Sequence, residues 1–135
     1  MSEVHRRYRL VVAEEVAADL IRVRSEDKLA YDEMQVLFED LEGDEGWCDA
    51  IADPTYSDSQ IESVKALRYL ANEGRNVYRV KFLRVRKWRI ITAANHQGKI
   101  IGILGIMHRD QNYEDDSTFS KRIRQSYDTL GFPIF

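Results

Sequence analysis

Between Asn76 and Ala94, apolar and cationic side chains trade places almost residue by residue. Tyr78, Val80 and Phe82 alternate with Arg79 and Lys81, and Trp88 and Ile90 flank Arg89. Strand side chains point to opposite faces in turn, so this run can bury one face of a sheet and must present cations on the other. A helical period of ~3.6 would scatter the same residues around a circumference. Three strands are therefore expected, over 76–83, 87–94 and 99–107. The third, KIIGILGIM, is apolar on both faces, as a strand covered twice would be. Its Gly102 and Gly105 imply a bulge or the close approach of another element.

The hairpin register follows from what Trp88 requires. With Lys81 opposite Arg89, the cations Arg79, Lys81 and Arg89 share one face, and Tyr78, Val80, Phe82, Trp88 and Ile90 share the other. A slip of one residue would send Trp88 into solvent and Arg89 into the core. The tips fall at Arg84 to Arg86 and at Asn95 to Gly98. Arg109 leaves the end of the third strand and Tyr113 follows four residues later, so four cations and a phenol can converge on one concave surface.

The flanking segments read as helical. A short strand over 8–12 precedes a helix over 13–24, with Val16, Ala17, Leu20 and Ile21 at helical spacing. Ser25 is placed to cap a second helix that runs to about Leu41, buried through Ala30, Met34, Leu37, Phe38 and Leu41. The short break between the two predicts a helix hairpin. Residues 42–60 contain no Lys or Arg and read as an acidic loop pinned by Trp47 and Ile51. A third helix, capped by Ser57 or Asp58, is expected through Ala71, with Ile61, Val64, Ala66, Leu67 and Leu70 as its apolar positions. After Glu114 to Ser117 a last helix carries Phe119, Ile123, Tyr127 and Leu130 and stops at Gly131 and Pro133.

Composition bounds the setting. The chain has 135 residues and a net charge of -3, consistent with one domain over 1–135 that buries a core of its own. Its halves differ in sign: residues 1–62 hold 6 Lys/Arg against 17 Asp/Glu, and residues 63–135 hold 14 against 6. The basic half carries the strands. A single cysteine, Cys48, and the lack of a signal-like or membrane-spanning apolar run predict a cytoplasmic protein. His5, His96, His108 and Cys48 show no metal-ligand spacing, so neither a metal nor a cofactor is expected.

Cations gathered on a sheet face fit an anion, and RNA backbone is the anion expected. In RNA transesterification a 2′-hydroxyl attacks the adjacent phosphate and charge builds on five-coordinate phosphorus. Fixed cations stabilise that charge more than the ground state, and each such donor is worth ~2.7–4 kcal/mol of barrier. Tyr113, Lys81 and His108 are alternative proton acceptors, although His108 alternates away from Arg109.

The block NVYRVKFLRVRKWRIIT, a turn, and KIIGILGIMHRDQNY resembles the RelE/ParE toxin superfamily of bacterial toxin–antitoxin modules, over residues 64–113. The resemblance is carried by Trp88-Arg89, by an apolar strand ending in His108-Arg109, and by Tyr113. It implies an α+β, RelE-like fold: an N-terminal strand and helix hairpin packed on a twisted antiparallel sheet of about four strands, with a C-terminal helix. It implies an endoribonuclease that cleaves messenger RNA, with the ribosome as partner and a cognate antitoxin that covers the same surface. A weak dimer is the most self-association expected. Catalytic roles then fall on Arg79, Lys81, Arg89, Arg109 and Tyr113, and RNA contacts on Lys65, Arg84, Arg86, Lys87 and His108. A ParE-like, non-catalytic gyrase inhibitor and an inactive antitoxin-binding module are the alternatives, and the cationic set favours the nuclease. The chain departs from the family in its acidic insertion over 42–60, in its negative net charge and in a hairpin tip without glycine.

Overall fold

A computed structural model describes residues 8–43, 45–53, 57, 60–114 and 117–135, without the side chains of 45–47. Among these described residues it is an α+β arrangement of five strands and five helices. The sheet runs in the order β1 (Arg9–Val12), β5 (Ile100–His108), β4 (Trp88–Asn95), β3 (Val77–Phe82), β2 (Ile61–Ala66). Neighbours from β2 to β5 are antiparallel, whereas β1 lies parallel to β5, pairing Arg9 with Ile100 and Val12 with Ile103. The sheet is therefore mixed and five-stranded, where an antiparallel sheet of about four strands was expected.

The added strand is β2, which the sequence suggests is a helix. The reason is a bulge. Ile61 pairs with Phe82, but Ser63 already pairs with Lys81, so one extra residue is accommodated between them. Ile61 and Val64 both reach the core, and their spacing of three imitates a helical stripe. Only α4 (Arg68–Asn72) of the expected helix forms, with Leu70 buried. Gly74 then turns the chain at φ +83°, and its carbonyl accepts the Phe135 amide at 2.9 Å.

The meander follows the alternation. Pairs Val77–Ala93 to Val80–Ile90 set a register in which Lys81 faces Arg89, as Trp88 demands. Trp88 is buried, and its indole N–H donates to Asp27 at 3.3 Å. β5 is apolar from Ile100 to Met107 and buried from Ile101 to Met107. It bulges where Ile91 pairs with Gly105 but Thr92 with Ile103. A Cβ on Gly105 would lie 2.9 Å from Ile123, and one on Gly102 3.2 Å from Phe132, so both glycines admit the C-terminal segment that covers this face. That segment is α5 (Thr118–Thr129), capped by Ser117, whose hydroxyl accepts the Ser120 amide at 3.1 Å. Gly131 follows its end at φ +76°, a conformation that costs a residue with a Cβ.

α1 (Val16–Glu26) and α2 (Lys28–Gly43) are joined by Asp27, which caps α2 by accepting the Ala30 amide at 3.1 Å; Ser25 does not cap it. α2 buries Ala30, Met34, Leu37, Phe38 and Leu41 as its spacing predicts. α1 buries Val16, Asp19 and Val23 instead, leaving Ala17 and Ile21 exposed. Asp19 explains the shift. β1 stops at Val12, so β5 loses its neighbour beyond Ile103, and α1 and α5 cap the bare edge with side chains. Asp19 accepts the Ile106 amide at 2.9 Å, Arg22 donates to the Ile106 carbonyl at 2.8 Å, and Arg122 donates to the Leu104 carbonyl at 3.0 Å. Asp19 and Arg122 then pair at 2.8 and 2.6 Å, tying the two helices across that edge. A bare edge recruits foreign strands, and this one is blocked by charge. Within the acidic stretch, α3 (Glu45–Ile51) forms and Cys48 and Ile51 are buried, so 42–60 is not loop throughout. The Trp47 side chain, Ser57's companion Asp58 and the Asp115-Asp116 pair lie outside the described residues.

Among the described residues no helix is long and apolar enough to cross a membrane.

Candidate functional site

Cross-strand partners share a face of a sheet. Lys65 pairs with Arg79, Ser63 with Lys81, and Arg89 with Met107. Arg109 returns to the Met107 side two residues on, and the ladder reaches it, because its amide donates to the Lys87 carbonyl at 2.8 Å. Lys65, Arg79, Lys81, Arg89 and Arg109 therefore stand on one side of the sheet. α5 covers the other end of that same face through Gly102 and Gly105. What stays open is a hollow of about 390 Å³ lined by Glu62, Ser63, Lys65, Arg79, Lys81 and Arg89.

Tyr113 closes one rim. Arg79 donates to its phenolic oxygen at 2.6 Å, with the guanidinium 5.5 Å from the ring centre. The backbone of Tyr113 is fixed in turn: its carbonyl accepts the Tyr69 hydroxyl at 2.5 Å and the Ser120 hydroxyl at 2.9 Å. Burial pushes the Tyr69 phenol above its ordinary value. α4 and α5 thus hold the loop that presents Tyr113.

Arg89 is the electrostatic centre. Its guanidinium donates to two backbone carbonyls, Arg86 at 2.7 Å and Trp88 at 3.0 Å. Burial, and then the charge of Arg79, lower its pKa; Arg109 adds to this and Glu62 opposes it. Among the described residues, Arg79, Arg89 and Arg109 have no carboxylate within ion-pair distance. The carboxylate inside the hollow is Glu62, whose Oε2 lies 2.7 Å from Lys81 Nζ. That hydrogen bond lowers its pKa, helped by the charges of Lys81, Arg86 and Arg89 and opposed by burial. Cations held together against their own repulsion, with few internal counterions, make a surface electrostatically suited to an anion.

The remaining sequence-derived positions divide. Lys65 lines the hollow. Arg86 sits at the hairpin tip, near enough to act on Glu62. Arg84 turns to α2, pairing with Asp40 at 3.3 Å and Gln60 at 3.0 Å, and is not brought to the hollow. The tip around it is a single turn of 3-10 helix over Leu83–Val85. Arg86 and Lys87 also border a separate depression against α2, with Leu29, Ala30 and Glu33. His108 pairs with Trp88 on the face opposite the cations, stacking edge-on at 5.1 Å, and its Nδ1 accepts the Asp110 amide at 3.2 Å. It stands away from the hollow.

Two participants escaped the sequence reading. Glu62 lay within an expected helix, and Tyr69 carried no signal beyond helical spacing. No three His, Cys, Asp or Glu among the described residues group as a metal site requires. Comparison with protein-family models, with curated proteins and with solved structures found no match.

Proposed function

We propose that this chain is a RelE-like toxin, an endoribonuclease that grips single-stranded messenger RNA on its cationic sheet face and cleaves it by transesterification. The observation that carries the reading is the pairing of Arg79 and Arg89 in the hollow, with Arg109 outside its lining but near enough to act on Arg89, without carboxylate partners among the described residues, and with the Tyr113 phenol on Arg79. The order of elements supports it: an N-terminal strand, a helix pair, an antiparallel meander and a C-terminal helix.

In the reaction the 2′ oxygen bonds phosphorus, the P–O5′ bond breaks, and a 2′,3′-cyclic phosphate and a 5′-hydroxyl remain. Arg79, Arg89 and Arg109 oppose the charge that accumulates on the phosphorane oxygens. Arg79, bonded to Tyr113, and Arg89, bonded to two carbonyls, are held in place before the substrate arrives and need no reorganisation in the transition state. Lys81 enters as a cation, its ammonium shared with Glu62. Tyr113 sets a phenolic oxygen at the rim, placed by Arg79 and by its own pinned backbone, where it can exchange a proton with a reacting oxygen. Ribosomal positioning of the messenger, and an antitoxin that presents acidic and apolar residues to this face, complete the reading.

Induced expression tests it. The wild type halts translation and growth, and Arg89→Ala or Arg109→Ala abolishes the arrest while circular dichroism shows a retained fold. Growth arrest by both variants at the wild-type level would remove the assignment.

A further inference from the structure

Beside the cationic hollow, across Tyr113, lies a second pocket of about 440 Å³. Its described lining is Tyr69, Gln111, Asn112, Tyr113 and Glu114. We infer that this pocket receives an unpaired adenine or cytosine, whose pairing edge sets a ring-nitrogen acceptor beside an amino donor, attached to the sugar next to the gripped phosphate. The inference rests on the RNA reading of the hollow and extends it from backbone to base.

Several observations converge. The volume falls in the ~300–1,000 Å³ range of small-molecule sites. Two half-buried tyrosines form the aromatic part, and each ring has an arginine beside it, Arg124 at 5.6 Å from Tyr69 and Arg79 at 5.5 Å from Tyr113. Aromatic rings are the usual platform for an unstacked base. The Tyr69 hydroxyl is tied to the Tyr113 carbonyl and to Ser120, so the two rings are held relative to each other before any ligand binds. Tyr113 is at once a wall of this pocket and, through Arg79, the rim of the phosphate site. A nucleotide that reaches both needs its phosphate and base on either side of one residue, as a single-stranded chain places them.

The polar lining selects among bases. Asn112 Oδ1 accepts the Glu114 amide at 2.9 Å, which leaves its NH2 as a donor to a ligand. Glu114 supplies a carboxylate acceptor, and Gln111 an amide of either sense. Adenine and cytosine each present a ring-nitrogen acceptor next to an amino donor, which suits that pair. Uracil presents an N–H between two carbonyls, which does not. Carboxylates accept from such amino groups elsewhere in nucleic-acid recognition.

The test is fluorescence anisotropy with labelled octamers of A, C and U, on the full chain and on Gln111→Ala/Glu114→Gln and Arg89→Ala. Wild type should bind A and C about tenfold tighter than U, within the range of one base contact. The Gln111→Ala/Glu114→Gln variant should bring the three affinities within about twofold of one another. Arg89→Ala should weaken all three alike. A preference that survives Gln111→Ala/Glu114→Gln would overturn the base pocket, because stacking alone would then explain it. Equal binding of the three by wild type would do the same, and in both cases the Arg89 response would leave the RNA site standing. No binding of any octamer would overturn both.

Discussion

Replacing Arg89 by alanine should change how RNA binding responds to salt, by an amount the geometry sets. Lys65, Arg79, Arg89 and Arg109 face one side of the sheet without an acidic partner among the described residues, while Lys81 is paired with Glu62. Each phosphate neutralised on a single strand contributes about -0.7 to the slope of log K against log salt. Wild type should therefore show a slope near about -2.8, a loss of roughly 50-fold in affinity between ~50 and ~200 mM salt. Arg89→Ala should reduce the slope to about -2.1 and the loss to roughly 20-fold. Anisotropy titrations of a labelled octamer at several salt concentrations measure both. A wild-type slope near zero, or a slope that Arg89→Ala leaves unchanged, would refute the hollow as a phosphate site.

Further perturbations test other parts of the structure. Asp19→Ala removes the acceptor of Arg122 and of the Ile106 amide, and breaking such a buried pair costs roughly 3–5 kcal/mol, read in urea denaturation. Glu62→Gln takes the one described carboxylate out of the hollow and should raise RNA affinity several-fold, read in the same titrations; an unchanged affinity would show that Glu62 does not compete with phosphate. Glu73 is held below its ordinary 4.5 chiefly by hydrogen bonds from Arg124, so the unfolded state binds its proton more readily. Its stabilisation is complete above that value and drains as pH falls through the lowered folded-state value. Glu73→Gln should thus lower the melting temperature at pH 7, by an amount that shrinks as pH falls below 4.5.

The meander was legible because one demand fixed it. Trp88 must be buried, so Lys81 must face Arg89, and the cations fall on one side. Gly102 and Gly105 were legible as a pair, since a bulge and a close approach both ask for a missing side chain, and β5 has both. The stripe of α2 followed from spacing, the start of α5 from Ser117 and its stop from Gly131. β2 was not legible, because its bulge gives Ile61 and Val64 the interval of a helix turn. Asp19 was not legible as a core residue. A carboxylate is buried only when partners from elsewhere meet it, and Arg122 lies far along the chain. The parallel pairing of β1 had no local signal, because tertiary packing alone decides which edge a short strand joins. Within the site, alternation placed Arg79, Lys81 and Arg89, but nothing local could show that Arg84 is taken by Asp40. Nor could it show that Glu62 sits among the cations, since its face depends on the same bulge.

The most direct measurement is the chemistry of the cut ends. Wild-type protein, incubated with an RNA oligomer alone or on programmed ribosomes, should leave a 2′,3′-cyclic phosphate and a 5′-hydroxyl. A single 2′-deoxy substitution at the cleaved position should abolish the cut, as should Arg89→Ala. Cleavage that ignores the missing 2′-hydroxyl, or that leaves a 5′-phosphate, would contradict transesterification on this sheet face.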